Sequence, residues 1–266
     1  MAHAVDLTLD LPPILTSHPV VPPMTPMAAA EAALAEDSVG AGDLFWSCAT
    51  DSVSVAFVLE PEVSPERAQE MLFALMVAAG DAIGTLGPPE LAFTWRWPNR
   101  FLANRAGVGS AHIKVSQELD DDGAPMWLIA GLDLALKPKS AFEPGQTPDE
   151  TSLWDEGAVD LEGADVIAAL SRHFLTWINR WDGEGFKPVH DAWLFRCEGR
   201  GKTITLSFGT EDEQVITEGQ FLGLDEIGNL LMRTDTGTQV FAVTDHMESI
   251  VHSVAEYEPE PASQES

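Results

Sequence analysis

Positive charge is scarce in this chain. Lysine and arginine together number 14, against 43 aspartates and glutamates among 266 residues, which gives a formal net charge of −29. Such a surface repels phosphate backbones and anionic lipids. The densest basic stretch, Arg196 to Lys202, holds only three basic residues. The composition therefore argues against nucleic acid and against membrane surfaces as partners.

Cysteine is nearly absent, and so are long hydrophobic runs. Cys48 and Cys197 are far apart and show no Cys-x-x-Cys or Cys/His spacing, so we expect neither a disulfide framework nor a structural metal site. The first residues lack the basic segment and apolar run of a secretory signal. No window approaches the roughly 18 to 20 apolar residues that a membrane span requires. We therefore expect a cytoplasmic protein.

The remaining composition is that of a globular protein, with 45% hydrophobic and 21% charged residues. The chain is long enough for one large domain and one small one. Changes in composition and hydrophobic pattern along the chain predict four regions. These are a proline-rich N-terminal arm (1–27), a large domain (28–194), a small β domain (195–255) and an acidic, disordered tail (256–266).

Hydrophobic periodicity predicts the elements of both domains. Residues 28–36 are strong helix formers, and apolar residues at helical spacing predict two amphipathic helices, one from Ser64 to Ile83 and one around Ile167 to Trp181. The architecture predicted is an α+β fold, a mixed or antiparallel sheet backed by helices and followed by a small β-barrel that starts near Phe195. The strands predicted are 52–59, 91–97, 108–117 and 127–136 in the large domain, and 203–208, 214–224, 230–234 and 239–243 in the small one.

Several segments together resemble one family. Trp95 to Arg100 (Trp-Arg-Trp-Pro-Asn-Arg) and the following Val108-Gly109 resemble a signature of biotin protein ligases. In that family a strand ends in Lys-Trp-Pro-Asn-Asp, and a hairpin leads to a Val-Gly-Gly strand that lines the biotinyl-adenylate pocket. Gly131 to Leu134 is similar to the family's Gly-Ile-Gly-Ile-Asn segment. Residues 181–193 resemble its link out of the ligase domain, and residues 219–231 resemble its SH3-like C-terminal domain.

The resemblance implies a biotin/lipoate ligase-like domain followed by an SH3-like barrel. It also implies a reaction: biotin or a related carboxylic acid is activated as an adenylate with ATP and Mg²⁺, then passed to a lysine of a carrier-domain protein. Arg96 takes the place of the family's lysine and would be the catalytic residue, next to the carboxylate and phosphate. No metal ligand is implied. The ligand-binding residues that it implies are Trp97, Asn99, Gly109, Ser110, Ala111 and Gly131.

The chain departs from the family pattern at several of these positions, so we expect a divergent active site. Arg100 reverses the charge of the family's aspartate, Ser110 replaces its second glycine, and Ala135 replaces its asparagine. The family's glycine- and arginine-rich loop corresponds to residues 40–46, which contain no arginine but do contain Asp43. The alternative function is therefore a non-catalytic relative that acts as a binding or interaction module.

Other interpretations of single residues stay open. Arg96 is either the catalytic cation or an exposed strand residue paired with an acidic neighbour. Arginines elsewhere, at 105, 196 or 200, are candidates to replace the missing loop cations. His190-Asp191 resembles a base with its orienting carboxylate, and Cys48 resembles a nucleophile, but structural roles are favoured for both.

Overall fold

The computed structural model of this chain describes residues 9–49, 51–138, 149–210, 213–247 and 250–253. Its main sheet has seven strands: β1 (Thr16–Pro19), β2 (Asp43–Cys48), β3 (Ser52–Leu59), β4 (Phe93–Arg96), β5 (Arg100–Ala103), β6 (Ala106–Val115) and β7 (Leu128–Ala135). The spatial order is β1-β2-β3-β7-β6-β5-β4. The β1–β2 pair is parallel and the other pairs are antiparallel, so the predicted mixed sheet is confirmed.

Helices cover the sheet unequally on its two faces. One face packs against the longer helices through alternate strand residues such as Val53, Val55 and Phe57. The opposite face, which we call the open face, is covered over part of its area by a single short helix that packs on Ala56, Val58 and Ile129. That helix is α1 (Pro26–Ala35); the others are α2 (Pro65–Ala68), α3 (Glu70–Leu86), α4 (Gly163–Glu184) and α5 (Lys187–Arg196).

Helix α3 lies in the centre of the core. Thirteen of its residues are buried, from Glu70 to Ile83. No stretch able to span a membrane was expected from the sequence, but Pro65–Leu86 is long and apolar enough to cross a membrane by length and composition. Of its most apolar window, 78% is buried inside the protein. A helix that is apolar on all sides is expected in the middle of a fold.

Five further strands form a second, antiparallel sheet. They are β8 (Thr203–Thr210), β9 (Glu213–Leu224), β10 (Leu230–Thr234), β11 (Gly237–Phe241) and β12 (Ile250–Ser253). Within the described residues their order is β11-β10-β9-β8-β12, with β11 and β12 at the two edges. The change to short strands is therefore confirmed, whereas closure into an SH3-like barrel stays a prediction.

The structure adds elements that the pattern did not predict. The N-terminal arm contains β1, which docks on β2, and neither β2, β5 nor β12 was expected. The segment that resembles the family's link out of the ligase domain contains most of α5, whose Trp193 is completely buried against Phe73 and Trp95. The domain boundaries stay predictions, and the predicted disordered tail (256–266) lies outside the described residues, as do residues 1–8.

Two indole groups fix how α4 packs on α3. The Trp181 Nε1–H donates to Glu70 Oε2 at 2.5 Å, and the Trp177 Nε1–H donates to Asp81 Oδ2 at 2.8 Å. Arg196, in the last turn of α5, donates to the other oxygen of Asp81 at 2.8 Å. Carboxylates on α3 therefore satisfy donors from both neighbouring helices, and these directional contacts set the helices' relative position.

The Glu70 carboxyl gives the first testable prediction. Burial raises the pKa of Glu70 above its ordinary value, although the Trp181 hydrogen bond and the charge of Arg67 act to lower it. Because the folded state holds this proton more tightly, the resulting stability is present below the unfolded-state pKa of about 4.3 and is lost as pH rises through the folded-state pKa. Glu70→Gln removes this pH-dependent term and keeps an oxygen acceptor for Trp181.

We therefore expect urea unfolding to show Glu70→Gln gaining stability relative to the unaltered protein as pH rises from 4.5 to 7.5. Glu70→Ala leaves the Trp181 N–H without its acceptor and should cost about 1 to 3 kcal/mol. A stability difference between Glu70→Gln and the unaltered protein that does not vary with pH would contradict the prediction.

Candidate functional site

The register of the main sheet aligns a row of polar side chains across six strands. Directly opposed residues of antiparallel strands project from the same face. Following the pairing from β2 to β4 gives a continuous series on the open face, which we call the polar row. Its members are Ser47, Ser54, Asp133, Ser110, Arg100 and Arg96.

Asp133 lies at the centre of the polar row, on the fourth of the seven strands. Its side chain is 54% exposed, which is unusual for the middle of a large sheet. Its Oδ2 lies 2.9 Å from Nε2 of His112, and Ser54 also hydrogen-bonds the carboxylate. Burial acts to raise the pKa of Asp133, but the hydrogen bonds from His112 and Ser54, with the charge of His112, outweigh it and hold the pKa below its ordinary value. The carboxylate is therefore ionised at neutral pH.

His112 connects Asp133 to Ser110, but not as a catalytic triad. The Ser110 Oγ lies 3.2 Å from the same Nε2 that meets Asp133. A proton relay requires the hydroxyl and the carboxylate to meet different ring nitrogens. Because Nε2 faces an ionised carboxylate, it carries the hydrogen, and Ser110 can only accept a share of that N–H. The Ser110 hydroxyl hydrogen is then directed elsewhere.

The two arginines at one end of the polar row both contact glutamates. Arg96 is only 16% exposed, and its Nη2 lies 3.7 Å from Glu198 Oε2. Glu198 also accepts a hydrogen bond from Thr94 at 2.7 Å. Arg100 pairs with Glu150. Burial, and then the charge of Arg96, lower the pKa of Arg100, but an arginine stays protonated.

The surroundings of Arg96 fit each interpretation only in part. It belongs to the polar row and has the expected acidic neighbour, Glu198, but its side chain is largely buried, so it is not an exposed strand residue. Its side chain faces away from Trp95 and Trp97, as strand alternation predicts. Its catalytic role stays a prediction.

The two predicted glycines make close backbone contacts within the protein. A Cβ on Gly109 would overlap the carbonyl oxygen of Asp133. A Cβ on Gly131 would lie 2.6 Å from both the Met27 sulfur of α1 and the carbonyl oxygen of Val55. Glycine is therefore needed at 109 to let β6 approach β7, and at 131 to let α1 settle on the sheet.

The other predicted ligand residues have structural contacts. The Asn99 side chain is buried and donates to the carbonyl of Ala111 at 2.8 Å. Ala111 points into the helix-covered core. Trp97 is also buried, and its Nε1–H donates to the carbonyl of Gly228 in the turn between β9 and β10. The register therefore brings Arg96, Ser110 and Gly131 to the open face, and the side chains of Ala111 and Trp97 to the opposite one.

Residues 40–42 form a turn, and residues 43–46 are the first four residues of β2. Asp43 accepts the Gly40 N–H at 2.8 Å and lies 2.6 Å from Nε2 of His18, which stacks on Phe45. The Asp43 carboxylate is therefore engaged within the turn. Arg196 is committed to Asp81 on the helix side of the sheet, so it does not supply the missing cation.

The remaining candidate residues lie elsewhere. The His190 Nδ1 is 3.7 Å from Asp191, whose carboxylate also pairs with Lys187 at 2.6 Å. The side chain of Cys48 is outside the described part of the structure. Among the described residues, no three histidine, cysteine, aspartate or glutamate side chains are grouped to hold a metal ion. A cavity of about 1270 Å³ opens at the far end of α1, beside Lys114 and Trp127, and none of the predicted site residues lines it.

His112, Asp133 and Ser54 were not singled out from the sequence. The available signal was polar residues at alternate positions of predicted strands, which places them on one face. This alternation does not tell which strands are neighbours or in what register they pair.

Comparisons with known proteins agree with one another. The model of the biotin/lipoate A/B protein ligase family matches residues 11–195. A biotin–[acetyl-CoA-carboxylase] ligase of Paracoccus denitrificans is 30% identical over 200 residues, which are 73% of this chain and 79% of that protein.

Solved structures show the same fold. A biotin protein ligase-like protein of unknown function from a Silicibacter species is 34% identical, with a TM-score of 0.76, and the match covers 89% of this chain and 98% of that one. The biotin protein ligase of Aquifex aeolicus in complex with biotin and ATP matches with a TM-score of 0.63 at 16% identity, over 81% of this chain and 90% of that one.

Gly109 provides a test of the geometry beneath the polar row. Gly109→Ala should destabilise the protein by about 1 to 3 kcal/mol or more, because the new methyl group overlaps the Asp133 carbonyl and forces β6 away from β7. Gly84→Ala, on an exposed part of α3 with open space around it, is the matched control and should be neutral or stabilising by about 0.5 to 1 kcal/mol. Urea unfolding measures both. Equal stabilities for the two variants would show that the β6–β7 approach is not as close as described.

Proposed function

The chain belongs to the biotin/lipoate A/B protein ligase family, and we propose that it activates a carboxylic acid, biotin or a related acid, as an adenylate with ATP. The acyl group would then pass to a lysine of a carrier-domain protein. The Paracoccus relative is named as a biotin ligase for acetyl-CoA carboxylase, which supports a carrier-domain partner.

The observation that carries the proposal is the polar row with Arg96 and Arg100 at one end. Adenylate formation brings two anions together, the carboxylate and the α-phosphate, and positive charge held at that point lowers the barrier. In a chain with only 14 basic residues, two of them occupy directly opposed positions of β4 and β5. Arginine matches the planar geometry of carboxylate and phosphate oxygens.

Substrate anions would have to replace glutamates at these arginines. In the structure Glu198 contacts the guanidinium group of Arg96, and Glu150 contacts that of Arg100. Exchange of one carboxylate for another conserves the type of contact, so the cost is modest where the pair is partly exposed. Arg100 and Glu150, 40% and 49% exposed, meet this condition better than Arg96.

A Mg²⁺ ion would be held mainly by the phosphates of ATP, because Mg²⁺ keeps several waters and needs only one or two protein carboxylates.

The second candidate is a non-catalytic module that binds an acid without activating it. It is favoured by residues 40–46, where Asp43 is engaged by His18 and no arginine is present. Residues 40–46 therefore contain no lysine or arginine to contact a triphosphate.

Formation of an acyl-adenylate separates the two candidates. The protein is incubated with ATP, Mg²⁺ and, in turn, biotin, lipoate and octanoate, and acyl-AMP is measured by mass spectrometry together with pyrophosphate release. Adenylate from any of the acids supports the ligase. Acid binding with no adenylate from any of them supports the binding module.

Arg96→Ala should weaken binding of the anionic ligand by roughly 1.5 to 3 kcal/mol, the scale of a hydrogen bond to a charged group. Arg172→Ala, on the exposed side of α4, is the control and should leave affinity unchanged. Calorimetric titration of each variant with the acid, or with its adenylate, gives the values. An unchanged affinity in Arg96→Ala would assign Arg96 to a purely structural pairing with Glu198.

Biotin transfer to a carrier lysine should be slow even if the protein is a ligase. Loss of one preorganised donor to developing charge can cost roughly 2.7 to 4 kcal/mol, about 10² to 10³ in rate. Residues 40–46 contain no lysine or arginine, and Arg100, Ser110 and Ala135 also depart from the family pattern. A carrier-biotinylation assay beside an ordinary biotin ligase measures the difference. Rates within about tenfold of that enzyme would refute this prediction.

A further inference from the structure

We propose that a groove behind the main sheet binds a segment of a partner protein in which lysine or arginine residues flank apolar ones. The groove, which we call the α5 groove, is a cavity of about 940 Å³ between the start of α5 and the turn that joins β9 to β10. It lies on the helix side of the sheet, since Phe186, which lines it, packs against Phe73 of α3. The α5 groove is therefore separate from the polar row and from the proposed reaction.

The floor of the α5 groove is apolar. Phe186 and Leu224 are buried beneath it, and Ile227 and Leu231 are partly exposed along it. The register of the second sheet continues this apolar strip, because Leu231 of β10 is directly opposed by Val240 of β11, which is 58% exposed. Directly opposed residues project from the same face. Apolar side chains of a partner therefore have a continuous surface from Ile227 to Val240.

The rim of the α5 groove has more acidic than basic side chains. Asp191, Asp225 and Glu226 line it, beside a single lysine, Lys187, among the described residues. Asp225 is engaged in its own turn, where it accepts two backbone N–H groups. Glu226 is exposed, and no described side chain pairs with it. A partner cation can therefore contact Glu226 without displacing another group, and it can replace Lys187 at Asp191 at little cost because that pair is exposed.

Both walls of the α5 groove are fixed in the structure. The β9–β10 turn is held at Gly228, whose carbonyl accepts the Trp97 Nε1–H and where a Cβ would overlap the ring of Phe73. On the opposite wall, His190 Nε2 lies 3.4 Å from the carbonyl oxygen of Leu224, so α5 and the end of β9 are in direct contact. A groove that is formed before the partner arrives loses little conformational entropy on binding.

Charge and length together select a basic, extended segment as the occupant. The net charge of −29 repels acidic partners and attracts cationic ones over long range. Phe195, which is 87% exposed, lies one turn beyond Asp191 on α5, so apolar surface is available about 6 Å further along the helix. A strip that extends from Phe195 past the groove to Val240 fits a polypeptide better than a small cation.

Three labelled peptides test the proposal on the full chain. The first has the sequence Ser-Gly-Lys-Leu-Val-Leu-Lys-Gly-Ser, the second has glutamate in place of both lysines, and the third has serine in place of the three apolar residues. Fluorescence anisotropy should show the first peptide binding at least tenfold more tightly than either of the others. A photo-crosslinking group in place of its valine should label residues of α5 and of β9 to β11, as mapped by mass spectrometry.

Substitutions at the rim and on the strip locate the binding. Glu226→Lys should weaken binding of the first peptide by at least tenfold, and Val240→Ser should weaken it by about three- to tenfold. Asp121→Lys, on the exposed hairpin between β6 and β7, makes the same change of charge away from the groove and should stay within twofold of the unaltered protein. Thermal unfolding shows whether each variant is folded.

Four results would overturn the proposal. They are similar affinities for the three peptides, an affinity in folded Glu226→Lys within twofold of the unaltered protein, an equal loss in Asp121→Lys, and crosslinks outside α5 and β9 to β11. Sedimentation velocity tests the other occupant, a second copy of this chain. A dimer that both Glu226→Lys and Val240→Ser abolish would also overturn the proposal, because the groove would then bind its own chain.

Discussion

The close approach of β6 to β7 is the constraint on which the candidate site depends. Gly109 lies against the carbonyl of Asp133, where no side chain fits, and this contact fixes the pairing of the two strands. A shift of one residue would turn every side chain of β6 to the other face. Ser110 and His112 would then enter the helix-covered core, and Ala111 would face the ligand. The arrangement of the candidate site therefore depends more on this backbone contact than on any single polar residue.

Charge is distributed around this site in a way that the net value of −29 conceals. The open face has an anion in the middle of the polar row and two cations at its end, and each cation already contacts a glutamate. The charge of each arginine is thus balanced by a nearby glutamate, so the open face has no general positive field. Long-range attraction therefore contributes little to the association of an anionic ligand. Affinity has to come from short-range geometry, namely the two guanidinium groups on β4 and β5.

Much of the fold could be predicted from the sequence because the relevant signals are local. The sequence predicts β3 at Ser52–Leu59 and β10 at Leu230–Thr234. Each is a short stretch rich in apolar residues with turn-forming residues on either side. Strand β5 has four residues and follows Pro98-Asn99, too short a stretch to show periodicity. Strand β1 lies among prolines, which is possible because it is an edge strand with one paired side. The site could be predicted only in part. Ser110 and Arg96 were found through the family resemblance, but the contact of His112 with Asp133 joins positions on different strands, and its geometry follows from register.

The same structure bears on whether this family member is a ligase or a binding module. Catalysis requires interactions that are stronger in the transition state than in the ground state. Arg96 and Arg100 are the residues beside which charge would develop. Both arginines already contact glutamates. The free energy gained when a substrate anion binds them is therefore reduced by the loss of the glutamate contact. In a ligase built this way, rate enhancement would depend on how completely Glu198 and Glu150 are displaced from the two arginines when the phosphate arrives.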